Sequence, residues 1–272
     1  MGSSLRTIGL AAAGGLANVA IVLALYARAD YPTLESTVDI AGLVIPVFAV
    51  GFVPILVSAH TRLLSPTVGF LAALVGTTYV ELTTPMPEWG ELGGYVVVDG
   101  PTHVASYANT WYVWLSLVLV AGLLEFALRR GYDVADERLR HLPPLPLSRA
   151  ALAGTVAGFA GLVGIATALL VLRAGIRPPA AALIVFAAAA AVTVVPIWAV
   201  LARGLVLPAA LFAVVVPYFL IVEVFVATEC PVHLLLFGPY AVVLALVGAL
   251  EAALRARLRG WNGGRFVGEH RR

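Results

Sequence analysis

Glu81, Glu223, His103 and His233 are the side chains in this sequence best placed to hold an ion or a small ligand. Each stands at the edge of a long apolar stretch, and carboxylates and imidazoles bind protons, cations and polar solutes. Burying such groups in hydrocarbon is costly, so they mark sites where a membrane protein spends stability on function. Counting from Arg62 and Arg203 at 1.5 Å per helical residue, Glu81 and Glu223 lie about 28 Å along their spans. That depth is close to the far edge of a hydrocarbon core of about 30 Å. With Glu229 and Cys230 nearby in sequence, the four residues are expected to form a polar cluster on the outer side. Imidazole, carboxylate and thiolate are ligand types for zinc or copper, and two histidines at one depth suit a haem iron. The plainer reading has each histidine at a helix start, bonded to a loop. No HxxxH or CxxC spacing is present, so no metal centre is assigned and the cofactor is left open.

A second group is structural. Glu125 and Glu251 each precede an arginine by four residues, Arg129 and Arg255. Glu before Arg at i, i+4 is the favourable order on a helix, so two ion pairs near the inner surface are expected. Pro54, Pro196 and Pro217 fall inside apolar spans, where a missing N–H kinks a helix. Gly154 and Gly158 form a GxxxG, with Gly161 and Gly164 following, a surface suited to close helix packing or to a homodimer.

The elements that carry these residues must be transmembrane helices. The chain has 272 residues, of which 61% are hydrophobic and 12% charged. A soluble domain averages about 45–50% apolar and about 25% charged. Eight stretches reach the length of about 20 residues that a bilayer requires, near 7–26, 39–59, 66–82, 110–129, 150–172, 179–201, 206–227 and 232–254. Residues 7–26 are read as the first span and not as a cleaved signal. The fold class is therefore all-α integral membrane, with about eight transmembrane helices.

All 17 basic residues are arginines. With the N-terminus inside, 14 of them (Arg6, Arg62, Arg129, Arg130, Arg138, Arg140, Arg149, Arg203, Arg255, Arg257, Arg259, Arg265, Arg271 and Arg272) fall on the inner side and three (Arg28, Arg173 and Arg177) on the outer side. That asymmetry puts both termini in the cytoplasm of a plasma membrane, in a prokaryotic-type arrangement. The basic tail is expected to touch anionic headgroups. The absence of lysine excludes a Schiff base to retinal or pyridoxal phosphate and a P-loop. The single cysteine excludes an internal disulfide. Basic residues beside apolar spans argue for lipid as the partner and against nucleic acid.

An internal repeat organises the chain. One offset of 142 aligns Pro54 with Pro196, Pro66 with Pro208 and Glu81 with Glu223. VLVAGLLEFALRR at 118–130 resembles LALVGALEAALRAR at 244–257, and Pro101-Thr102-His103 resembles Pro231-Val232-His233. The expected organisation is a first four-helix repeat at 1–130, a Pro-rich cytoplasmic linker at 131–149, a second four-helix repeat at 150–256 and a basic tail at 257–272. An even number of spans per half makes the repeats parallel. The outer segment 83–109, with Trp89, Tyr95 and Tyr107, has no counterpart of similar length and is expected to lie on the membrane surface or cap the bundle. DDxxD, GxSG, CxxC and HExxH motifs are all absent. The preferred reading is a small-solute or ion transporter with a site between the halves. The alternatives are an intramembrane enzyme acting on a lipid or prenyl substrate and a non-catalytic membrane subunit.

Overall fold

The computed structural model describes residues 2–175, 179–226, 231–257 and 266. Within them the chain is a helical membrane protein with nine α-helices and one two-stranded hairpin. The order is α1 (Gly2–Arg28), α2 (Thr37–Thr61), α3 (Ser65–Thr83), β1 (Glu88–Leu92), β2 (Tyr95–Asp99), α4 (His103–Asn109), α5 (Trp111–Gly131), α6 (Arg149–Arg173), α7 (Ala180–Arg203), α8 (Leu207–Phe225) and α9 (Phe237–Arg257). Short 3-10 turns occupy Pro32–Glu35, Asp136–Arg138 and Pro231–Leu236.

Among the described residues, seven helices are long and apolar enough to cross a bilayer: α1, α2, α5, α6, α7, α8 and α9. The eighth expected span, α3, has 19 residues but is diluted by Ser65, Thr67, Thr77, Thr78 and Glu81. It therefore falls outside that group, and the count of eight is approximate. Large apolar side chains stand open to the surroundings on these helices, among them Ile45, Val75, Leu183, Val214 and Leu246. Water would penalise such surfaces, whereas acyl chains solvate them.

The chain divides into two compact units. The first holds 1–60 and 66–118, and its tightest point is the approach of α1 to α2. A Cβ on Gly51 would stand 2.6 Å from the Gly14 carbonyl oxygen and 3.0 Å from the Gly15 Cα, so only glycine permits this contact. Asn18, fully buried beside it, donates to the Val47 carbonyl at 2.7 Å and accepts from the Tyr107 hydroxyl at 3.1 Å. Burial pushes the Tyr107 hydroxyl above its ordinary titration range.

The second unit holds 61–65 and 119–272. Here α7 is the central element, packing on α6, α8 and α9. Its run of alanines at 187–191 keeps its surface small and lets the neighbours close in. Val192, Ile197, Val200, Phe212, Leu220, Phe237 and Leu244 fill the core.

Two helix pairs coincide in length and spacing. α3 and α8 both span 19 residues, and α8 begins and ends 142 positions after α3. α5 and α9 both span 21 residues, displaced by 126. α2 and α7 end at Thr61 and Arg203, again 142 apart. The shortfall between the two displacements falls between α3 and α5, where the chain carries the hairpin and α4. The hairpin departs from the all-α reading. Gly93 and Gly94, with φ of 60° and 83°, supply the two left-handed residues of its turn.

Candidate functional site

Glu223 lies in the last turn of α8, and the 3-10 turn at Pro231–Leu236 brings His233 back to it. The imidazole Nε2 stands 3.2 Å from Glu223 Oε2 and 3.4 Å from the Phe219 carbonyl oxygen. Its ring stacks on Phe219, one helical turn before the glutamate, with centroids 5.8 Å apart. The carboxylate is 5% exposed and the imidazole 21%. The close pair is not aligned as a hydrogen bond, and Glu223 Oε2 has no hydrogen-bond partner among the described residues. A buried carboxylate oxygen in that state is costly unless a proton, cation or ligand donor engages it. Glu229 and Cys230, the other expected members of this cluster, lie outside the described residues, as do Arg177, Arg259, Arg265, Arg271 and Arg272.

Glu81 occupies the matching last turn of α3 and is 6% exposed, yet its chemistry differs. Oε2 accepts from the backbone N–H of Val104 at 2.9 Å, and Oε1 accepts from the Tyr31 hydroxyl at 3.3 Å. The carboxylate thus caps the start of α4, where orphan amides favour negative charge. His103 is the first residue of that short helix and does not open the long span, which begins at Trp111. Burial, with Glu81 beside it, pushes the Tyr31 hydroxyl well above its ordinary range. Tyr31 packs on Tyr26 at 4.3 Å and on Trp89 at 4.9 Å. The Trp89 indole donates to the Ala29 carbonyl at 2.8 Å. Sequence reasoning assigned Glu81 a role like that of Glu223 and missed Tyr31. An aromatic just past a span was the available signal.

Glu125 and Glu251 do more than pair with arginine. Glu125 accepts from the Leu64 N–H at 2.8 Å and the Ser65 N–H at 2.7 Å, capping α3, and lies 2.8 Å from Arg129 Nη1. Arg129 also donates to the Arg62 carbonyl at 3.1 Å. Glu251 accepts from the Val206 N–H at 3.1 Å and the Leu207 N–H at 2.9 Å, capping α8, and pairs with Arg255. Arg255 donates to the Gly204 carbonyl at 3.0 Å. Leu64, Ser65 and Arg62 are displaced by 142 from Val206, Leu207 and Gly204. Arg62 and Gly204 share a left-handed backbone, with φ of 66° and 65°. The residue equivalent to Arg62 is therefore Gly204, and Arg203 precedes it. Each of these two loops is held by a carboxylate on two amides and a guanidinium on one carbonyl.

The linker is fastened by the same arginines and their neighbours. Arg130 pairs with Asp136 at 2.8 Å and donates to the Leu142 carbonyl at 3.0 Å. Arg129 reaches the Ala135 carbonyl at 3.0 Å. Tyr132 accepts from Arg255 at 3.0 Å and donates to the Gly204 carbonyl. Pro54, Pro196 and Pro217 lie inside α2, α7 and α8, as does Pro46 in α2, which sequence analysis had not singled out. Gly154, Gly158 and Gly161 have open space where a side chain would go, whereas Gly164 packs on Phe186. Among the described residues, no three His, Cys, Asp or Glu side chains gather as a metal site. No protein-family model, curated protein or solved structure matches the chain, so the reading of this site rests on its own geometry.

Proposed function

We propose that this polytopic membrane protein is a small-solute or ion transporter and that Glu223 with His233 binds the proton or cation it moves. The observation that carries the reading is the contrast between two glutamates in matching helix turns. Glu81 has both oxygens engaged by fixed donors, while Glu223 keeps an oxygen with no hydrogen-bond partner among the described residues, beside an imidazole. Fixed donors make Glu81 a positioning group for α4. An open carboxylate next to a titratable ring suits reversible loading, the property transport requires. His233, less buried than Glu223, stands on the more accessible side of the pair.

The coinciding bounds of α3 with α8 and of α5 with α9, together with the paired inner clamps, support a duplicated origin: repeats at 1–130 and 150–256, joined by the linker at 131–149. In this reading the linker and both termini lie on the cytoplasmic side of a cell membrane, as the distribution of arginines supports.

The test is flux in reconstituted vesicles. Uptake of protons and of a panel of monovalent and divalent cations and small solutes is measured for the parent, Glu223→Gln and His233→Gln. The reading expects a transported species whose flux falls at least about tenfold in Glu223→Gln, equivalent to about 1.4 kcal/mol. If every species moved by the parent is moved equally by both variants, the assignment of the pair is wrong.

A further inference from the structure

The β1–β2 hairpin has two unlike faces. In its register Trp89 pairs with Val98 and Glu91 with Val96 on one face, while Leu92 pairs with Tyr95, Gly90 with Val97 and Glu88 with Asp99 on the other. Trp89 anchors the hairpin, its indole bonded to the Ala29 carbonyl at the end of α1 and packed on Tyr31. Both faces carry open apolar side chains, since Val96 and Val98 on the Trp89 face are exposed as well. Leu92 is 73% exposed and Tyr95 78%, with Val97 beside them. The three apolar side chains of the second face, Leu92, Tyr95 and Val97, lie at and behind the tip, and the acids Glu88 and Asp99 stand at the root.

We propose that this face is a lipid-docking surface, with Leu92, Tyr95 and Val97 set into the headgroup layer of the adjoining bilayer leaflet. Continuity with the membrane-facing surface is the argument for the occupant. Tyr79 and Leu82 on α3 and Met86 ahead of β1 are exposed apolar residues that lead in sequence toward the hairpin. Trp89, level with the last residues of α1, fixes the root of the hairpin where that helix leaves the hydrocarbon. Both strand edges carry unpaired backbone groups, which hydrocarbon excludes but hydrated headgroups accept. Tyrosine beside aliphatic residues is the composition of that layer. The acids at the root favour a zwitterionic over an anionic lipid surface.

Nitroxide labels at Leu92→Cys, Tyr95→Cys and Glu88→Cys, each in a Cys230→Ser background, test this in the full chain. The protein is placed one copy per disc in phosphatidylcholine nanodiscs, and power saturation is measured with oxygen and with a soluble nickel chelate. Labels at 92 and 95 are expected to be more accessible to oxygen than to nickel, and the label at 88 the reverse. Because two independent positions report on the tip, one poorly folded variant leaves the other as the test. Nickel accessibility exceeding oxygen at both would overturn the proposal, as would shielding from both reagents. Dipolar broadening between labels in multi-copy vesicles would assign the face to a second chain and also overturn it.

Discussion

Replacing Glu251 by glutamine should loosen the loop between α7 and α8 more than a surface change of equal size. The carboxylate is 5% exposed as a residue, accepts from two backbone amides at 3.1 and 2.9 Å and pairs with Arg255. Glutamine retains one carbonyl oxygen, so one amide keeps a neutral bond and the other loses its acceptor. Losing a charge-assisted bond to a buried donor costs about 1.5–3 kcal/mol, and weakening the second costs about 0.5–1 kcal/mol. Arg255 keeps the Gly204 carbonyl and the Tyr132 oxygen, so its own loss is smaller. The expected total is about 2–4 kcal/mol. Equilibrium unfolding in lipid–detergent micelles reads the total, and hydrogen exchange at Val206 and Leu207 reads the local opening. A double-mutant cycle with Arg255→Gln isolates the pair, with an expected coupling of about 1 kcal/mol. A Glu251→Gln protein within about 0.5 kcal/mol of the parent, with unchanged exchange at both amides, would refute the clamp as an energetic element. Glu125→Gln should follow the same pattern at Leu64 and Ser65, because its donors and its arginine are arranged alike.

Other consequences follow from the same geometry. Tyr31→Phe removes a donor from buried Glu81 and should cost about 1–2 kcal/mol in the same unfolding assay. The fold raises the Tyr31 and Tyr107 titrations above the unfolded value, so their contribution is full below about pH 10 and is lost as pH rises through the folded values; the slope of stability against pH above that point should flatten in Tyr31→Phe. Gly204→Ala places a Cβ on a left-handed residue and should destabilise by about 1–2 kcal/mol, whereas Arg62→Gly relieves the same conformation and should stabilise by up to about 1 kcal/mol, both read as shifts in the unfolding midpoint. Asn18→Leu leaves the Tyr107 hydroxyl without its acceptor and the Val47 carbonyl without its second donor, and should cost about 2–3 kcal/mol in the same measurement.

The membrane class and most helix positions were legible because the signal is crude and long: twenty apolar residues leave few alternatives. The ends of α3 and α8 were legible for another reason, since prolines and glutamates sit at matching distances in both. What escaped is local. The hairpin was hidden because Glu88–Leu92 is too short and too acidic to read as a strand, although Gly93-Gly94 is a hairpin turn signal. The difference between Glu81 and Glu223 could not be read from two identical residue types at identical spacing. It arises because Tyr31 and the start of α4 reach one of them and an imidazole reaches the other. The i, i+4 pairs announced Glu125–Arg129 and Glu251–Arg255, but the amides those carboxylates cap lie 44 to 61 positions away in sequence. Only the three-dimensional structure exposes them.

Infrared difference spectroscopy on the reconstituted protein tests the loading of Glu223 most directly. Spectra are recorded on a pH step and on addition of each cation of the flux panel, for the parent, Glu223→Gln and Glu81→Gln. The account predicts a carboxyl band that changes on loading, vanishes in Glu223→Gln and persists in Glu81→Gln. A loading band that survives intact in Glu223→Gln, or that disappears with Glu81→Gln instead, would contradict it.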